Sequence, residues 1–380
     1  MSLPVTSSQT KFSAIESLRG WAALGVLVHH VAFFPPPHYI GPRFANTIAE
    51  AGTQGVSLFF AISAFTLTKS FNSRNKEPSP LLAFYLRRLF RIAPLFFAWL
   101  VARLIADFSR GQVHGPAEIV LNASFVFNFF PSFETGIVWT SWTIGLEVAF
   151  YAFFPFIAKR VTSISRAAAF LILSLAGWML FRITYFQFHP TETTESLFYK
   201  FSFFRHLHAF ALGMICYYIY EQHKDRLRSS RVWGSILLFG IIIVGESALV
   251  FGNELDHDII LLIQSLTCSG ILLGLLAAPN RFFVNRLSGL FGQCSYSIYL
   301  NHTAFIFALI PFYNNYYTAG GYHFYKFAIC CILTTLAVLA FFLDYVSGYR
   351  GAGDSSWAKS YRPGPPALDI LFLIRFTRAP

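Results

Sequence analysis

Arg19 and His30 stand eleven residues apart in the apolar stretch IESLRGWAALGVLVHHVAFF, residues 15–34. On an α-helix, eleven steps of about 100° return two side chains to within about 20° of one face, roughly 16 Å apart along the axis. His29 falls about 80° off that face. Ionisable groups inside a membrane are costly and face a cavity or a partner. An imidazole near the outer end can take a proton from a hydroxyl if a neighbour orients it. A guanidinium at the inner end can hold an anion. The plainer alternative is a snorkelling arginine and a histidine bonded to a nearby carbonyl.

Three other stretches carry groups that could join this chemistry. In SWTIGLEVAFYAFFP, residues 141–155, Glu147 lies about five residues in from the outer end, which gives an expected depth close to that of His30. A carboxylate there could hold the imidazole as a general base, or form a structural ion pair with an arginine. In FYLRRLFRIAP, residues 84–94, Arg88 and Arg91 share a helical face and Arg87 lies four residues before Arg91. Such a cluster at a membrane boundary can bind phosphates, or can simply anchor topology. In SYSIYLNHTAF, Ser295, Tyr299 and His302 fall at 0°, about 40° and about 340° around a helix, a polar stripe that reads as a cavity wall. Cys216, Cys268, Cys294, Cys330 and Cys331 all lie in apolar stretches without a CxxC pair or a histidine at ligand spacing. They read as small buried hydrophobes, and no metal site is expected.

The elements that must position these groups are membrane helices. Of the 380 residues, 55% are hydrophobic and only 12% charged, against about 25% charged in soluble domains. The expected fold is all-α and polytopic, with about ten spans near 18–34, 55–71, 89–108, 143–158, 166–185, 206–221, 232–251, 259–278, 292–313 and 325–348. Residues 118–130 are apolar but short and read as an interfacial or re-entrant segment. The domain reading is a cytoplasmic segment 1–14, a membrane domain 15–348 and a cytoplasmic tail 349–380, whose ALDILFLIRF could lie on the membrane surface. No cleaved signal peptide is read at the start. With both termini cytoplasmic, 22 of the 29 Lys and Arg residues fall on the cytoplasmic side, in keeping with the positive-inside rule. The net charge of +11 is then topology, scattered over membrane-flanking loops, and does not point to nucleic acid.

Taken together, these stretches resemble the membrane acyltransferase-3 family, bacterial O-acyltransferases that modify surface polysaccharides and some small molecules. The resemblance rests on LRGWAALGVLVHH, GVSLFFAISAFTL, FYLRRLFRIAP, WTIGLEVAFYAFFP and SYSIYLNH, in the family's order. One departure is Ala64, where the family usually has glycine. No appended soluble esterase-like domain is read. The resemblance implies His30 and Glu147 as catalytic residues, and Arg19, Arg88 and Arg91 as binders of the acyl donor. Trp142, Tyr151, Ser295, Tyr299 and His302 become candidate acceptor-binding residues. The implied co-substrate is acyl-CoA, by default acetyl-CoA, with no bound cofactor. The implied acceptor is a polysaccharide or lipid-linked oligosaccharide, and the implied location the bacterial inner membrane. The competing reading is a transporter or translocation partner without acyl-transfer chemistry. It would more often show paired hydropathic repeats and Gly/Pro-broken spans in matching halves, which are not evident in the sequence.

Overall fold

The computed structural model describes residues 7–35, 38–39, 41–74, 79–229, 255–318 and 324–352. No strand occurs among them, and the fold is all-α. The helices are α1 (Ser7–Phe33), α2 (Arg43–Ala51), α3 (Gln54–Ser73), α4 (Pro80–Ser109), α5 (Pro116–Ala123), α6 (Trp142–Arg160) and α7 (Ile164–Phe188). After them come α8 (Leu197–Lys200), α9 (Phe203–Ser229), α10 (His257–Ala277), α11 (Arg286–Gln293), α12 (Ser295–Thr318) and α13 (Phe324–Ala352). Local chemistry fixes several boundaries. Pro80 opens α4, the Ser163 hydroxyl caps α7 by accepting from the Arg166 amide, and Asn285 and Ser288 form a reciprocal capping box on α11.

Nine of the ten expected spans fall on these helices. The seventh, 232–251, lies outside the described residues, as does most of the tail. Among the described residues, five segments are long and apolar enough to cross a membrane: Arg43–Ser73, Pro80–Ser109, Ile164–Phe188, His257–Ala277 and Phe324–Phe341. The helices that hold Arg19 with His30, Glu147, and the polar stripe of α12 are not among the five. Their polar and ionisable residues lower the mean hydropathy. Large apolar side chains such as Ile172, Leu173, Leu180 and Ile183 of α7 point outward, as a lipid-facing surface requires. The chain is a multi-pass membrane protein.

Two compact units alternate along the chain. The first takes in the described parts of Met1–His29, Arg43–Asn75 and Phe153–Ser295. Within it α9 packs against α3, α7 and α10, and α3 also meets α10. Small residues allow the backbones to approach. A Cβ on Gly213 of α9 would stand 2.2 Å from the carbonyl oxygen of Ala61 in α3, and one on Gly20 would stand 2.5 Å from that of Ser288. Ala64 is wholly buried in α3, and its carbonyl accepts from the Thr68 hydroxyl at 2.7 Å.

A charged network ties this unit together. Asp256 caps α10 by accepting from the Asp258 amide, and also pairs with Arg182 of α7 at 2.6 Å. Asp258 pairs with Arg182 and, at 2.8 Å, with Arg205 of α9, and it accepts from the Tyr199 hydroxyl at 2.5 Å. Arg182 is therefore an ion-pair partner of both aspartates. The acidic loop before α10 is where it docks. The hydrogen bond from Arg182 holds the Asp256 carboxyl down to about 2. Because the folded value is depressed, its contribution to stability is full above the unfolded carboxylate range. It fades as pH falls towards that value. Asp258 and Arg205 are each only 5% exposed. Asp258→Ala leaves buried guanidinium charge uncompensated and is expected to cost about 3–5 kcal/mol. Thermal unfolding in detergent measures this, and a shift no larger than that of a surface substitution would refute it. His206 and His208 are buried. His206 Nε2 donates to the Lys200 carbonyl at 3.0 Å, and His208 pairs with Ser265 at 2.9 Å while stacking on Trp178.

The second unit takes in the described parts of His30–Pro42, Lys76–Ala152 and Tyr296–Pro380. The stretch expected to be interfacial, 118–130, folds as the end of α5 followed by a 3-10 turn at Phe127–Phe129. The loop after it is pinned by two asparagines. Asn122 Oδ1 accepts from the Ile137 amide at 2.9 Å, and Asn128 Nδ2 donates to the carbonyls of Glu134 and Trp142, each at 3.1 Å. Gly136 has φ +75°, and a Cβ there would stand 2.3 Å from Ser141 Oγ, so the turn needs glycine.

Candidate active site

α1 is continuous from Ser7 to Phe33, so Arg19 and His30 keep the helical relation that their spacing predicts. Arg19 belongs to the first unit, where its Nη2 donates to Thr66 Oγ1 at 3.2 Å. His29 turns to α2 and donates from Nδ1 to the Ala49 carbonyl at 3.0 Å. His30, in the second unit, meets α12. Its Nδ1 is 2.7 Å from Nε2 of His302, with the ring planes 10° apart.

The hydrogen bonds of this pair fix its tautomers. His302 Nδ1 lies 3.0 Å from the Ile298 carbonyl, one turn back on α12. A carbonyl only accepts, so His302 Nδ1 carries the proton. In the neutral ring His302 Nε2 then holds a lone pair and accepts from His30 Nδ1–H. This puts the lone pair of neutral His30 on Nε2, the nitrogen that a general base uses. The second histidine thus orients the first. Phe34 covers the His30 ring at a centroid distance of 4.1 Å.

The other residues of the α12 stripe form the wall behind His302. Tyr299 accepts from the Thr143 hydroxyl of α6 at 2.7 Å and donates to the Thr140 carbonyl at 3.3 Å. Ser295 is buried at the head of the helix. Two further contacts, not singled out from sequence, tie α12 to α4: Trp99 Nε1 donates to Asn301 Oδ1 at 2.5 Å, and the Tyr296 hydroxyl donates to the Ile92 carbonyl at 2.8 Å.

Those contacts also set the depth of Glu147. Ile92 meets Tyr296 and Trp99 meets Asn301, so α4 and α12 run the same way. The Tyr85 hydroxyl reaches the Ala152 carbonyl and the Arg88 guanidinium lies over the Tyr151 ring, so α6 runs the other way. Thr143 is level with Tyr299. Glu147 then lies about 6 Å from that level towards Arg88, and His302 about 4.5 Å from it in the opposite direction. The expected match in depth between Glu147 and His30 is replaced by an offset of about 10 Å. Counting residues from span ends missed this because it cannot include the stagger between helices. Glu147 Oε1 instead accepts from the Tyr151 hydroxyl one turn on.

Tyr151 leads to the Arg-x-x-Arg segment. The Arg88 guanidinium lies 5.7 Å from the Tyr151 ring centroid and 5.7 Å from that of Phe84. Arg88 Nε is buried with no hydrogen-bond partner among the described residues. A cleft of about 250 Å³ opens beside it, lined by Tyr85, Arg88, Leu89, Ile92, Phe125 and Tyr151 among others. Arg91 is exposed and Arg87 half-buried. Trp142 starts α6, and its backbone carbonyl serves the asparagine clamp. Among the described residues no group of histidine, cysteine, aspartate and glutamate side chains could hold a metal ion, and all five cysteines are free thiols.

A polytopic helical protein with an oriented histidine on one helix, and a half-buried arginine on another, belongs to a recognisable class. The acyltransferase-domain family model matches residues 12–343, and the chain belongs to this acyltransferase-3 family. It is similar to "Putative O-acetyltransferase SAR0937" of Staphylococcus aureus (strain MRSA252) and to SACOL0978 of strain COL, which carries the same description. Each is 23% identical over 383 residues, covering 92% of this chain and 59% of the relative. It is also 27% identical over 166 residues to "Acyltransferase MdmB" of Streptomyces mycarofaciens, covering 40% of this chain and 41% of that protein. The chain spans about three-fifths of the length of the staphylococcal relatives. No solved structure matches it.

Proposed function

We propose that the protein is a membrane O-acyltransferase that moves an acyl group, acetyl by default, from cytoplasmic acyl-CoA to a sugar hydroxyl of an exported or cell-surface polysaccharide. The observation that supports the reading is the His30–His302 pair, in which the lone pair of neutral His30 stands on Nε2. In this mechanism Nε2 takes the hydroxyl proton as the oxygen attacks the thioester carbonyl. The carbon–sulfur bond then breaks, and the imidazolium returns the proton to the departing CoA thiolate. His302 keeps the His30 ring in plane and in the productive tautomer. Both termini lie in the cytoplasm of the inner membrane, so His30 works near the outer face.

Arg88 and Arg91 hold the donor in this reading. A buried donor atom on Arg88 and the largely apolar cleft beside it support this part of the reading. Glu147 holds the Tyr151 hydroxyl, and Tyr151 lies under the Arg88 guanidinium. Glu147 therefore acts on the donor side and not as the group that orients His30. Arg88→Ala is expected to weaken CoA binding by about 1.5–3 kcal/mol, the worth of a charge-assisted contact. Calorimetric titration of the purified protein with CoA measures this, and unchanged affinity returns Arg88 to a topology anchor. The function itself is tested by comparing surface glycans of wild-type and deletion strains by NMR. Identical ester content in the two would refute it.

A further inference from the structure

A second polar cluster of the same unit lies at the far end of α4. Arg103 is fifteen residues, about 22 Å of helix, beyond Arg88, and Asp107 is one turn further. The Asp107 side chain is 1% exposed. Its Oδ2 accepts from Arg103 Nε at 2.6 Å and from His114 Nε2 at 2.9 Å. Its Oδ1 is buried and has no partner among the described residues. An i, i+4 ion pair alone is ordinary helix structure. A dry carboxylate oxygen is not, because leaving it without a donor costs free energy that a ligand donor would recover.

The surroundings hold this oxygen in a defined place. The Arg103 guanidinium lies 3.8 Å from the Trp139 ring centroid, and Phe307 packs on Trp139 at 3.8 Å. Arg103 engages Asp107 through Nε, and its terminal nitrogens are further donors on the same guanidinium. The hydrogen bond to Asp107 raises the pKa of His114, which favours the form that donates to Oδ2. The cluster thus offers one fixed acceptor and adjacent fixed donors. Vicinal ring hydroxyls, each both donor and acceptor, complement that pattern. The cluster is also joined to the catalytic pair by aromatic rings. Phe307 lies 6.0 Å from Phe34, which covers His30.

We propose that Arg103 and Asp107 form a second acceptor subsite, which binds a sugar ring neighbouring the one acylated at His30. The acceptor is then an oligosaccharide or polysaccharide and not a lone small alcohol. The inference rests on the acyl-transfer reading above and extends it. Phe34, Phe307 and Trp139 form the wall between the two subsites. Arg103 becomes specificity-determining.

The test uses the full chain in nanodiscs with acetyl-CoA. The acceptor is unacylated surface polysaccharide from the deletion strain, cleaved into single-sugar and several-sugar fragments. The wild type is expected to show the lower KM for the several-sugar fragments. Asp107→Asn and Arg103→Lys are each expected to raise that KM by about ten- to hundredfold, as the loss of a charge-assisted contact does, with kcat little changed. The KM for single sugars should hardly move. Arg103→Lys keeps the charge beside Asp107 and guards against a folding defect in Asp107→Asn. Unchanged KM in both variants, or equal losses on both fragment classes, would overturn the subsite. A wild type that acylates neither fragment class would overturn the acyl-transfer reading and the subsite with it.

Discussion

His30→Ala is expected to lower acyl transfer by about 10² to 10⁴-fold, the usual contribution of a general base, with thermal stability little affected. His29→Ala, one residue earlier, is expected to retain most activity. The two imidazoles face different neighbours: His29 donates to the Ala49 carbonyl of α2, while His30 meets His302 of α12. Turnover of acetyl-CoA with the native acceptor, at matched protein levels, separates them. An inactive His29→Ala beside an active His30→Ala would reverse the phase of α1. Near-wild-type turnover in His30→Ala would remove the catalytic site altogether.

His302→Ala is expected to cost about 10²-fold in kcat with KM nearly constant. Its role is to position, and a misplacement of about 1 Å is worth that much. Without His302 Nε2 as acceptor, the hydrogen bond from His30 Nδ1–H is lost, and the ring can flip to the tautomer with Nε2 protonated. His302→Gln offers an amide oxygen at a similar reach and is expected to recover part of the loss, whereas His302→Phe fills the space and recovers none. Since His302 is wholly buried, unfolding temperatures of the three variants must be compared. Equal activity in the glutamine and phenylalanine variants would show that His302 only fills volume.

Much of this architecture was legible before any coordinates. Repeated apolar runs and a low charge fraction specify a helical membrane protein, because a backbone in lipid must satisfy its hydrogen bonds within each span. The same local rule placed nine of the ten expected spans on helices and left the tenth outside the described residues. The Arg19 to His30 relation was equally local, since a continuous helix fixes the phase between residues eleven apart. The polar stripe on α12 reads from sequence as a cavity wall, with His302 a candidate acceptor-binding residue. The ion pairs of Arg182 were not legible, because its partners Asp256 and Asp258 lie 74 and 76 residues further along the chain.

The sequence by itself determined the membrane class, the helices and the face that carries Arg19 and His30. Only the tertiary structure decided which group completes His30. That partner, 272 residues away, depends on how α1 meets α12, and no periodicity within a single helix records it. The placement of Glu147 shows the same limit. Its expected depth was counted from the end of its own span, whereas its observed depth follows from contacts that stagger α6 against α4 and α12. Hydropathy fixes each helix along the membrane normal only to within a turn or two. Side-chain packing and hydrogen bonds between helices set the remaining few ångströms, and at that scale a base either meets its partner or misses it.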